Sequence, residues 1–178
     1  MRTKTDVDYD GRLASSYESG RDITPAAEAT WRTAVEDHIR EPGLVVDVGA
    51  GTGRFARRLA KHFDLSVTAV EPAHGMRTNA AITSAQNDIA WIGGTAEALP
   101  LRSGCADVLW SAFATHYYDL AGAAHEFARV VTPDGRVLAG LANLCRHGAI
   151  VVPEPVYASN VLLVFKPVRA MRTETTRT

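Results

Sequence analysis

The stretch LVVDVGAGTGRF, residues 44–55, constrains this chain more than any other. A short apolar run ends near an acid, Asp47, and glycines follow at 49, 51 and 53. An unbroken run of Leu and Val reads as a strand buried on both faces, the form strands take inside a parallel sheet. Glycine just beyond such a strand permits positive φ and removes the Cβ that would keep a ligand away. From Gly53 to Phe63, the residues Phe55, Leu59 and Phe63 fall on one side of a helix. Free amide donors at the start of that helix would face whatever the loop approaches.

The alternation continues. Ser66–Val70, Ile89–Ile92, Ala106–Ser111 and Arg136–Leu141 read as further strands. His74–Gln86 and Leu120–Val131 read as helices, the second with Leu120, Ala124, Phe127 and Val131 in register. TPDG, residues 132–135, reads as a turn. Ahead of the first strand, Thr24 suits an N-cap, Pro25 the first helical position and Glu28 the first turn. Ala27, Trp31, Val35 and Ile39 then recur at helical spacing until Pro42-Gly43. Strands alternating with helices predict an α/β fold: a Rossmann-like, doubly wound, mostly parallel sheet with helices on both faces. Ala149–Val152 and Asn160–Phe165 are two more strand candidates and predict a short C-terminal hairpin. The chain divides into an N-terminal segment and helix (1–43), a core (44–141) and a short C-terminal region with a polar tail (142–178), together one domain.

Composition narrows the partners. The chain has 178 residues, 46% of them apolar and 22% charged, with a formal net charge of −1. No global field therefore draws in nucleic acid or an anionic membrane. Arg57 and Arg58 form a lone basic pair, which reads as a solvated helix face. Cys105 and Cys145 lie far apart, which argues against a disulfide framework or a zinc site and suits a reducing cytoplasm. The first residues, MRTKTDVDYDGR, lack an apolar signal core, and no apolar run approaches the ~20 residues of a membrane span. The expectation is a cytoplasmic protein.

The ligand of the glycine loop can be narrowed by charge. A dinucleotide fingerprint spaces its glycines G-x-G-x-x-G to receive a pyrophosphate at the helix start. Here the third glycine, Gly53, arrives one residue early, and Arg54 stands where the fingerprint has glycine. Asp47 would also sit close to a bound pyrophosphate and repel it. A Walker loop would need Gly-Lys-Ser/Thr, and this loop has no lysine. Asp47 better suits a cationic amino group. Glu71, at the end of VTAVEP, can accept from both hydroxyls of a ribose. The inventory describes an amino-acid-bearing nucleoside without phosphates.

Five blocks in order, VVDVGAGTGRF, AVEPAHGM, GGTAEALPL, ADVLWSAFATHYYD and FARVVTPDGRVL, resemble the class I S-adenosylmethionine-dependent methyltransferases, small-molecule branch, over about residues 9–141. The resemblance implies S-adenosyl-L-methionine as cofactor and a small-molecule methyl acceptor. Asp47 and the loop through Gly49, Gly51 and Gly53 would hold its methionine part, and Glu71 its ribose. Pro72 and Met76 would pack on the adenine, with Thr95 and Ala96 at the adenine edge. Many relatives have Asp where Thr95 stands, and Glu97 is near enough to compensate. Ser111 and Ala112 would line the methionine end. Arg21 loosely matches a basic residue that faces the cofactor carboxylate. His116, past the fourth strand, is the candidate catalytic base, beside Tyr117 and Tyr118 at the acceptor pocket. Tyr9 and Tyr17 would belong to a lid.

The sequence departs from this family after residue 141, where a further helix is short or missing. Either the acceptor pocket is open, or a second copy or partner subunit completes it, or methyl transfer has been lost. The alternative function is then an S-adenosylmethionine-binding protein of the same fold without methyl transfer. A nucleotide-dependent oxidoreductase is disfavoured by the glycine spacing.

Overall fold

The apolar run becomes strand β1 (Gly43–Val48), an inner strand of a seven-stranded sheet. The computed structural model describes residues 25–39, 41–112, 114–142, 150–153 and 160–165. Helix α1 (Pro25–Glu36) precedes β1; then come α2 (Arg54–His62), β2 (Leu65–Val70), α3 (His74–Thr83), β3 (Ile89–Ile92) and β4 (Ala106–Ala112). A 3₁₀ turn (Thr115–Tyr117) leads to α4 (Leu120–Val130), β5 (Val131–Ala142), β6 (Ile150–Pro153) and β7 (Asn160–Phe165). The sheet order is β3-β2-β1-β4-β5-β7-β6. The strands β1 to β5 run parallel, whereas β7 is antiparallel to both β5 and β6. The expected doubly wound sheet with a terminal hairpin is the observed topology.

Side chains alternate across β1, so Val45 joins one core layer while Val46 and Val48 join the other. The first layer lies under α1 and α2 and is centred on Trp31, whose ring centroid is 5.7 Å from that of Phe55 and 5.9 Å from that of Trp110. Burying Trp31 is the main attachment of α1; truncating such a side chain typically costs about 3–5 kcal/mol. Glu28 adds contacts to α2 at His62 (2.6 Å), Arg58 (3.7 Å) and Lys61 (3.8 Å), which at a half-exposed surface contribute less. The second layer packs Ala123, Phe127 and Val130 of α4 against Val46, Val48 and Leu109.

Three boundaries differ from the periodicity. Helix α1 ends at Glu36, and Ile39 packs on the core from a turn closed by His38 N–H to Val35 O (2.9 Å) and Ile39 N–H to Glu36 O (3.2 Å). Helix α3 stops at Thr83 because Ser84 turns its hydroxyl back to Ala80 O (2.5 Å) and receives Trp91 Nε1 (3.1 Å). TPDG is not a turn between elements. It is an irregularity inside β5, where the pairing with β4 shifts from Ala106↔Val131 to Val108↔Arg136. Gly135 makes that shift feasible, since a Cβ there would lie 2.8 Å from Asp107 O.

Candidate functional site

The strand order turns back between β1 and β4, and open α/β sheets bind ligands beyond the carboxyl ends of strands at such a switch point. The loop after β1 is tied to β2 by Gly49 N–H (2.9 Å) and Ala50 N–H (3.1 Å), both donating to Val70 O. Its three glycines all have positive φ, at 71°, 56° and 82°. They are needed for different reasons. A Cβ on Gly49 would stand 2.5 Å from Ala114 Cβ and 2.6 Å from Tyr118 Oη. One on Gly53 would stand 2.6 Å from the Trp91 ring. Only at Gly51 is there nothing within 4 Å among the described residues. Gly49 and Gly53 thus make room for Ala114, Tyr118 and Trp91, while the space beside Gly51 is open among the described residues.

Glu71 lies across the loop, 8% exposed. Its Oε2 accepts from Gly51 N–H and its Oε1 from Ala73 N–H, each at 2.9 Å. A carboxylate oxygen has more than one acceptor site, so both can still receive a hydroxyl. Asp47 is 2% exposed and follows Val45 on the Trp31 side of the sheet. Burial, and secondarily the charge of Glu71, push its carboxyl up to about 8, against the pull of the Ala56 amide at the start of α2. Its Oδ2 has no hydrogen-bond partner among the described residues. A cationic donor placed there would satisfy the oxygen and restore the carboxylate. These features fit the ammonium and ribose of an aminoacyl nucleoside.

The remaining candidates occupy varied settings. Pro72 is exposed and Met76 is 1% exposed at the start of α3. Thr95 is exposed in an isolated bridge with Ala98, whereas Ala96 is buried in the second core layer. That segment is anchored to α4 by Arg129, which donates to Leu99 O (3.0 Å) and Leu101 O (2.8 Å). Glu97 Oε1 accepts Asp119 N–H at 2.8 Å at the start of α4, and its other oxygen keeps acceptor capacity beside Thr95. Ser111 is fully buried; its hydroxyl is 3.0 Å from Val48 O and 2.9 Å from Tyr118 Oη, itself 3.0 Å from Val48 O. Burial holds the Tyr118 phenol well above its usual range, with the Ser111 hydrogen bond opposing. Tyr118 therefore buttresses the glycine loop. His116 and Tyr117 are exposed on the 3₁₀ turn, ring centroids 3.9 Å apart. Arg21, Tyr9, Tyr17 and the expected N-cap Thr24 lie outside the described residues, as does the stretch 143–149 where the helix was expected to be short.

Sequence reasoning missed two arginines. Arg57, read as part of a solvated pair, donates to Thr52 O at 2.7 Å and to Thr83 Oγ1 at 3.2 Å, bracing the loop against α3. Arg77 binds the backbone next to Glu71. Neither signal is visible in residue spacing, because the shortest contacts of both are to main-chain carbonyls. Among the described residues no group of three or more His, Cys, Asp or Glu could hold a metal ion, and no helix is long and apolar enough to cross a membrane.

Residues 46–139 match a family model described as a methyltransferase domain. An uncharacterised methyltransferase of Mycobacterium tuberculosis is 34% identical over 127 residues, 71% of this chain and 49% of that protein. A malonyl-acyl-carrier-protein O-methyltransferase of Geobacter sulfurreducens is 37% identical over 98 residues, 53% of this chain and 37% of that one. A structure from Methanococcus maripaludis, described as an S-adenosyl-L-methionine-dependent methyltransferase, superposes with a TM-score of 0.69 at 22% identity, over 79% of this chain and 67% of its own; it shares the fold. The chain spans about half the length of the first of these curated relatives.

Proposed function

The chain belongs to the methyltransferase-domain family, within the class I S-adenosylmethionine-dependent methyltransferases, and on that premise we propose that the whole protein transfers a methyl group from S-adenosyl-L-methionine to a small-molecule acceptor by in-line displacement. One observation carries the residue assignments: Asp47 Oδ2 is buried without a hydrogen-bond partner among the described residues, and Glu71 accepts from Gly51 N–H in the glycine loop. In this reading Asp47 and the 49–53 loop hold the methionine part and Glu71 the ribose. Pro72 and Met76 contact the adenine face, Thr95 and Ala96 its edge, and Ser111 supports the methionine end through Val48. Arg21 faces the cofactor carboxylate.

When bound, the cofactor supplies a methyl group already activated on a positive sulfur. The protein's own contribution is then mainly to place donor and acceptor in line. His116, exposed just beyond β4, is the candidate to take a proton from an acceptor hydroxyl or amine. Exposed Tyr117 packs beside it, and exposed Leu120 follows at the start of α4; both offer apolar surface to an acceptor. In this reading residues 44–141 act as the cofactor-binding core, 1–43 as an N-terminal lid segment and helix, and 142–178 as a short C-terminal region beside an acceptor pocket that is open or completed by a second copy or partner subunit. Two well-separated cysteines go with a cytoplasmic setting.

A screen of candidate acceptors with isotope-labelled S-adenosylmethionine, scored by mass shift, tests the transfer. A labelled product supports it. Cofactor binding with no labelled product across oxygen, nitrogen, carbon and sulfur acceptors would favour the binding protein without methyl transfer.

A further inference from the structure

Arg77 occupies an unfavourable place for a cation. It lies close to the N-terminal end of α3, where the helix dipole disfavours positive charge. What holds it there is main-chain oxygen: Nη1 donates to Glu71 O at 2.7 Å and to Pro72 O at 2.8 Å. The guanidinium also lies against Gly93 beyond β3, where a Cβ would come within 3.2 Å of Cζ and 3.3 Å of both terminal nitrogens. Arg77 thus spans the segments that follow β2 and β3, already joined by Glu71 N–H to Ile92 O at 3.2 Å.

The consequence follows from the planarity of one peptide. Pro72 C=O and Ala73 N–H belong to the same trans peptide unit and point in opposite directions. Arg77 draws the carbonyl to one side. The N–H is thereby turned to the other, where it donates to Glu71 Oε1 at 2.9 Å. Gly51 N–H holds Oε2 from the opposite loop. We infer that Arg77 is a positioning residue that aims the Glu71 carboxylate at the cofactor ribose, acting through the Pro72–Ala73 peptide. The inference rests on the reading of Glu71 as the ribose acceptor. An arginine suits the task because one terminal nitrogen carries two N–H donors in a fixed plane, which a lysine does not reproduce while lying flat on Gly93.

The test is calorimetric titration of the full chain with S-adenosylhomocysteine and with its 2′,3′-dideoxy analogue, which lacks the ribose hydroxyls. Arg77→Met should weaken S-adenosylhomocysteine binding about tenfold, the scale of a charge-supported hydrogen bond, and leave the dideoxy analogue nearly unchanged. In a Glu71→Ala background the same substitution should have little further effect, and Arg77→Lys should recover only part of the affinity. Wild-type affinity in Arg77→Met, or equal weakening of both ligands, would overturn the positioning role. If Arg77→Met fails to fold, Arg77→Lys, checked by its melting temperature, carries the same two-ligand comparison. A wild-type chain that binds neither ligand overturns the proposed cofactor itself, a distinct result.

Discussion

The loops that follow β1 and β4 leave neighbouring strands and are built on opposite terms. The β1 loop is defined by its backbone: three positive-φ glycines, amides tied to Val70 O, and the Gly51 N–H held by Glu71. The segment after β4 is two-sided. Ala114 and Tyr118 press into Gly49, while His116 and Tyr117 project outward with exposed rings. Backbone geometry of the first kind tolerates few residues, so it leaves a recognisable sequence. Exposed side chains of the second kind can change without disturbing the fold. This difference explains why the methyl donor is readable from the sequence and the acceptor is not.

The largest effect should come from the contact between the two loops. Gly49→Ala introduces both a positive-φ penalty and a Cβ overlapping Ala114 and Tyr118. It should destabilise the fold by about 2–4 kcal/mol in a denaturant titration. Gly51→Ala carries the same backbone penalty and no overlap, so it should cost about 1 kcal/mol of stability yet abolish most cofactor binding. If both variants melt alike, the distinction between a packed glycine and an open one is wrong.

Next in size is Glu71→Ala. It removes charge-supported acceptors and should weaken S-adenosylhomocysteine binding by about 1–3 kcal/mol. An unchanged dissociation constant would take Glu71 out of the site.

Asp47 sharpens the comparison through pH. Its carboxyl rises from 3.8 to about 8 on folding, so between those values the folded chain holds more protons than the unfolded one. Stability of the ligand-free protein should therefore fall as pH rises from about 4 to about 8. A bound ammonium favours the carboxylate, so cofactor affinity should increase over the upper part of that window. Asp47→Asn should flatten both profiles. A wild-type affinity that does not vary between pH 6 and 8 would argue against an ammonium at Asp47.

The smallest effect on cofactor binding belongs to the β4 side. His116→Ala should leave the S-adenosylhomocysteine dissociation constant unchanged, because the ring is exposed and packs beside the exposed Tyr117. Its influence should appear in turnover alone. Near-normal turnover would strike His116 out as an essential base.

The fold was legible where the chemistry is local. Val45–Val48 had to be a buried strand, and Phe55, Leu59 and Phe63 had to share a helix face. Asp47 and Glu71 stood out because each acid ends or nearly ends an apolar run. The rest depends on contacts between distant residues. Tyr118 reaches Val48 O across 70 positions, and nothing in HYYD distinguishes it from the exposed Tyr117 beside it. TPDG has turn chemistry, but only the pairing with β4 shows that the turn lies within a strand. Arg57 and Arg77 bind carbonyls, and any residue could have supplied those.

The central claim is that the buried, half-satisfied Asp47 and the amide-held Glu71 form a site for a phosphate-free aminoacyl nucleoside. Calorimetric titration of the full chain at pH 7 with S-adenosylhomocysteine, repeated in two buffers of different ionisation enthalpy, addresses it directly. The expected result is saturable binding with net proton release to the buffer, as the Asp47 carboxyl ionises against the ligand ammonium, and no binding of NAD under the same conditions. Saturable binding of NAD with no heat from S-adenosylhomocysteine would contradict it.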